Sequence, residues 1–156
     1  MELANAISLS FLATIIGPAI AYARTGDMFY GWLAATVIMV AGFVEGTKRL
    51  LGSVTPWLQR PAGATACDIF CIGPGVGGNP GFPSGHMSVV SIVVATLWIR
   101  FKKPYILYIG GLWIAAMAWA RWFKKCHTWV QIAAGVAVGI VGAFILDRLQ
   151  ALYRLQ

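Results

Sequence analysis

Charge is what this sequence has least of. Only 11% of its 156 residues are Asp, Glu, Lys or Arg, against 59% hydrophobic residues. With a mean hydropathy of +0.75, that balance excludes a soluble domain of this length and indicates a membrane protein. Acidic side chains are scarcer still, five against twelve Lys and Arg, which leaves a net charge of +7. In so apolar a chain this excess points to membrane topology and an anionic ligand rather than to nucleic acid. Histidine occurs twice and cysteine three times. The Cys67-x3-Cys71 spacing with two scattered His matches no zinc pattern, so no metal and no other cofactor is called for. Three cysteines cannot all pair with one another, and the sequence does not choose partners among Cys67, Cys71 and Cys126. No Lys or Arg precedes the first apolar run, which is longer than a signal h-region. The run is therefore expected to be retained, although Ala21-Tyr22-Ala23 looks like a cleavage site.

What is abundant is apolar sequence in five runs: Leu3–Ala23, Met28–Glu45, Met87–Phe101, Tyr105–Trp122 and Trp129–Leu146. Each is near the length a helix needs to cross a bilayer, the third being the shortest, and lipid leaves helices as the only choice for such runs. The expected fold is all-α, an integral membrane bundle of about five transmembrane helices forming a single domain over 1–156. Pro18 should kink the first helix. In the last, Gly135 and Gly139 form a G-x-x-x-G pair that Gly142 continues, read as helix packing. Trp57, Trp122 and Trp129 fall near helix ends, as interfacial anchors do.

About thirty-five residues separate helix two from Pro83, an unusually long connection and so a candidate functional segment. Within it Gly73-Pro74-Gly75-Val76-Gly77-Gly78 fits G-x-G-x-x-G, but no strand precedes it and no helix follows directly, so a dinucleotide site is rejected. The loop ends in Gly81-Phe82-Pro83-Ser84-Gly85-His86, where Ser84 stands at a helix N-cap position. Free N–H groups there, beside a hydroxyl and an imidazole, suit a phosphate. Helix three descends from His86, Lys102-Lys103-Pro104 turns the chain, and helix four brings Arg121 back to the same face, with His127 just beyond. Lys48, Arg60, Ser84, His86, Arg121 and His127 thus converge on one membrane surface. With Lys48, Arg60 and Arg121 set aside as ligand-binding, six basic residues lie on the far face and three on this one. The positive-inside rule then places the convergent face outside the cytoplasm, in a periplasm or an ER lumen, with the amino terminus outside and the carboxyl terminus inside.

Taken together, Arg60-Pro61, Pro83-Ser84-Gly85-His86 and Arg121-x5-His127 resemble the three signature motifs of the type 2 phosphatidic acid phosphatase superfamily. The resemblance spans Lys48 to Gln131. It implies a lipid phosphatase in which His127 is the nucleophile, His86 the general acid, and Arg60, Arg121, Ser84, Gly85 and Lys48 hold the phosphate. Three departures stand out: Ser53 occupies the position seven before Arg60 where the family has Lys, Ala120 replaces a Ser, and Gln131 replaces an Asp four residues after the nucleophile. His127-Thr128-Trp129-Val130-Gln131 is similar to the corresponding stretch of dolichyl-diphosphate phosphatases, which favours a polyprenyl diphosphate over other lipid phosphates. Phosphatidic acid or another phosphomonoester is the alternative substrate, and a phosphate-lipid-binding membrane protein without activity is the non-enzymatic one.

Overall fold

The computed structural model describes residues 1–51, 55–68 and 73–153; Ser53 and Cys71 fall outside them. Among the described residues there are six α-helices: α1 (Glu2–Leu9), α2 (Ala13–Thr25), α3 (Met28–Leu51), α4 (Gly85–Phe101), α5 (Pro104–Phe123) and α6 (Trp129–Tyr153). A 3₁₀ turn at Ser10–Leu12 joins α1 to α2, so that Glu2–Thr25 forms one span and the bundle has four spanning helices plus the shorter, apolar α4. α2 continues through Pro18, and the departure from regular α geometry lies earlier, at Ser10–Leu12.

α4 is the hub. Its residues from Met87 to Val94 are buried without interruption, as expected for a helix apolar on all sides and surrounded by others. α6 packs on it through the small-residue stripe. A Cβ on Gly135 would stand 2.5 Å from the Ser84 carbonyl oxygen, and one on Gly139 would stand 2.5 Å from that of Ser88. The absence of side chains there lets the two backbones approach and sets the N-terminus of α4 against the start of α6. The Ser84 N–H completes the junction by donating to the Gln131 carbonyl at 3.0 Å.

α3 runs six residues beyond its apolar stretch, because Gly46, Thr47, Lys48, Arg49 and Leu50 continue the helix to Leu51. This extension carries Lys48 up to the convergent face. On the opposite side of the site, residues 58–64 and 76–81 lie side by side, tied by Gly81 N–H to Leu58 O (2.9 Å), Arg60 N–H to Asn79 O (2.8 Å) and Val76 N–H to Ala64 O (2.8 Å). The long connection is thereby folded back over the bundle end. Trp57, Trp122 and Trp129 are exposed there, the last two stacked at 5.6 Å.

Candidate active site

Lys48, Arg60, Gly85, His86 and His127 line one cavity of about 420 Å³ between the bundle end and the folded-back loop. Ser84 caps α4 with extended backbone, and its hydroxyl makes no cap bond. As at any helix start, the first N–H groups of α4 lack acceptors within the helix. Three buried polar atoms around the cavity have no hydrogen-bond partner among the described residues: Ser84 Oγ, Arg60 Nη1 and His86 Nε2. Arg60 is aimed by its Nε donating to the Pro80 carbonyl at 3.3 Å. Burial lowers its pKa from the usual arginine value, with Glu45 opposing, and the group stays a cation. The Lys48 ammonium pairs with Glu45 at 3.2 Å and stands 3.7 Å from where a Gly85 Cβ would be. Despite its irregular spacing from Arg60, Lys48 therefore reaches the Pro-Ser-Gly-His turn. His86 packs its ring on Phe11, centroids 4.4 Å apart.

His127 is almost wholly buried, and its Nδ1 lies 3.2 Å from Gln131 Oε1. The Gln131 amide is not free to choose its orientation. Its Nε2 donates to the Leu58 and Gln59 carbonyls at 3.1 and 2.8 Å, which leaves Oε1 to accept from His127 Nδ1–H and from the Thr128 N–H at 3.2 Å. The proton is then on Nδ1 and the Nε2 lone pair is available. Burial, followed by the charges of Arg121, Arg60 and Lys48, lowers the pKa of His127 well below the ordinary histidine value, the Gln131 contact opposing. The ring is neutral at neutral pH, as a nucleophile must be.

Arg121 does not line the cavity. It is fully buried behind it, with Nη1 donating to Ser8 Oγ at 3.2 Å and Nη2 to the Cys67 carbonyl at 3.0 Å. Ser8, on the first helix, supplies a hydroxyl to the arginine next to Ala120. Sequence reasoning missed it because the two residues lie 113 positions apart. A readable signal was also passed over: Thr128-x-x-Gln131 is a capping box, in which Gln131 Oε1 accepts from Thr128 N–H while Gln131 N–H donates to Thr128 Oγ1 at 3.4 Å. The helix cap and the histidine orienter are the same side chain.

Cys67 and Cys126 form a disulfide, resolving the pairing left open by the sequence. It fastens the long loop to the residue before His127, and Lys124 Nζ donates to the Ala66 carbonyl beside it. Closing a 59-residue separation contributes about 4 kcal/mol on chain-entropy grounds. Reduction, or Cys67→Ser with Cys126→Ser, is expected to lower the thermal midpoint in detergent and the turnover together. An unchanged midpoint would show that other contacts alone hold the loop.

Gln131→Ala is expected to lower turnover at least about tenfold, the usual scale for losing a positioning contact. Gln131→Asp keeps the acceptor and adds charge that favours the imidazolium, so activity should survive with the acid limb of kcat/KM moved to higher pH. Parental rates for Gln131→Ala across the pH range would reduce this residue to a helix cap.

The model of the PAP2 superfamily matches residues 29–153. Lipid A 1-phosphatase of Helicobacter pylori (strain J99) is 30% identical over 136 residues, 86% of this chain, and the chain spans 65% of that relative's length. No solved structure matches.

Proposed function

The chain belongs to the PAP2 superfamily, and from that premise we propose that it is a membrane lipid phosphatase working through a phosphohistidine on His127. The observation that carries this is the pinned Gln131 amide, which fixes the His127 tautomer inside a cavity shared with Lys48, Arg60 and His86. His127 Nε2 attacks phosphorus while Arg60, Lys48 and the α4 N–H groups balance the charge on the non-bridging oxygens, and Arg121 adds its positive charge from behind the cavity. His86 gives its proton to the departing lipid oxygen as the P–O bond breaks. Water then attacks the phosphoryl group, His86 takes its proton, and the P–N bond opens to release phosphate. Fixed side-chain cations provide all the positive charge these steps need.

A lipid substrate is favoured by the other wall of the cavity, where Phe11, Ile15, Ala41, Val44 and Val89 offer an apolar flank for a hydrocarbon tail. The name of the H. pylori relative supports a lipid A-type phosphate, and the resemblance of the His127–Gln131 stretch supports a polyprenyl diphosphate. Phosphate release by purified protein from lipid A, polyprenyl diphosphate and phosphatidic acid in mixed micelles separates these substrates. Release from none of them would overturn the enzymatic reading in favour of a binding protein.

The site face is assigned to the non-cytoplasmic side. The Cys67–Cys126 disulfide supports this, because such bonds persist in oxidising compartments. After reduction, Cys67 should label with an impermeant maleimide from outside intact cells. Labelling only after the membrane is opened would reverse the orientation.

A further inference from the structure

The far end of the bundle carries a second set of polar groups that the phosphatase chemistry does not use. Two adjoining cavities, about 190 and 340 Å³, lie between the start of α3 and the ends of α4 and α6. Arg100, Gln150 and Phe29 line both of them. Thr96 and Gln150 are at least nine-tenths buried, at 4% and 9% exposure, yet Thr96 Oγ1 and Gln150 Nε2 have no hydrogen-bond partner among the described residues. Trp32 Nε1, on the partly buried Trp32 that lines the second cavity, likewise has no hydrogen-bond partner among the described residues. Arg100 stands over the Phe29 ring at 5.4 Å and lines the first cavity together with Asp147. Among the described residues these two opposite charges form no ion pair.

We propose that this end of the bundle binds a phospholipid headgroup bearing both a phosphate and a primary ammonium. Arg100, Gln150 Nε2–H and Trp32 Nε1–H are the donors a phosphodiester needs, and the Asp147 carboxylate is the acceptor an ammonium needs. A simple anion would meet Asp147 and, in the second cavity, Asp27, and a simple cation would meet Arg100; one zwitterion satisfies both signs. Water alone, at about 30 Å³ per molecule, would fill the space but leave the two charges separately solvated. The location also suits a lipid. Trp32 and Tyr153 form an aromatic pair at this end, 5.9 Å between centroids, as at a membrane–water boundary, and exposed Ile145 and Leu149 on α6 offer an apolar flank to acyl chains.

The test compares phosphatidylethanolamine, phosphatidylglycerol and phosphatidylcholine of identical chains, titrated into delipidated full-length protein and read by native mass spectrometry. Phosphatidylethanolamine should be retained about threefold to fivefold better than the other two, the scale of one partly exposed charge contact. Asp147→Asn should erase its advantage over phosphatidylglycerol, while Gln150→Leu should weaken both lipids. Lipid phosphate turnover at the other end serves as the folding control for each variant. Equal retention of the three lipids by the unmodified protein, or preference for phosphatidylglycerol, would overturn the proposal. So would an Asp147→Asn protein that folds and keeps the ethanolamine preference.

Discussion

His127→Ala is expected to abolish turnover, by a factor on the order of 10⁴ or more, because it removes the atom proposed to attack phosphorus. The side chain is buried, so the variant also opens a cavity next to Cys126, and the thermal midpoint must be measured beside the rate. A folded His127→Ala protein without activity fits the account. One that retained a tenth of the parental rate would show that water attacks the substrate directly, with the imidazole acting at most as a base. The pH profile gives a second reading of the same group. Since burial and three neighbouring cations depress its pKa, the acid limb of kcat/KM that belongs to His127 should lie below about 6.5, the ordinary histidine value. An acid limb centred at or above that value, assigned to His127 by its shift in Gln131→Asp, would contradict the buried, cation-surrounded environment.

Arg121→Lys is expected to cost on the order of 10² in turnover while leaving the formal charge unchanged. The guanidinium reaches Ser8 Oγ and the Cys67 carbonyl from different nitrogens of one planar fork, and a lysine ammonium cannot span both while keeping its charge in the same place. Arg121 is also the largest single charge acting on His127. Removing that charge with Arg121→Gln should raise the His127 pKa and move the acid limb upward, whereas Arg121→Lys should move it little. Ser8→Ala should reproduce part of the Lys defect, about tenfold, by loosening one prong of the fork. Full activity in Arg60→Lys would mean that the phosphate is held elsewhere, and full activity in Arg121→Lys that the fork to Ser8 and Cys67 does not matter for turnover.

The helical bundle was legible because lipid permits few solutions: an apolar run near membrane length has to be a helix, and short polar turns such as Lys102-Lys103-Pro104 have to reverse it. Convergence of Lys48, Arg60, His86 and His127 followed from counting those reversals. Boundaries were less legible where polar residues continue a helix. The last turns of α3 hold Lys48 and Arg49, which read as loop beyond Glu45, yet their helical spacing is what delivers Lys48 to Gly85. Contacts set by tertiary approach left no periodic trace at all. Nothing near Gln131 in sequence announces that its amide will be pinned by Leu58 and Gln59, and nothing near Arg121 announces Ser8. The choice of Cys126 as partner for Cys67 likewise depends on the fold of the 58–81 segment over the bundle end.

The most direct measurement is identification of the covalent intermediate. Purified protein mixed with a lipid substrate labelled in its phosphate, quenched at alkaline pH within the first turnover and digested, should yield label on the peptide containing His127. The label should be lost in His127→Ala, and its formation should slow in His86→Ala, most for lipids whose leaving oxygen is least acidic. Single-turnover phosphate release with no protein-bound label at any time point, or label located on His86, would contradict the assignment of His127 as the nucleophile.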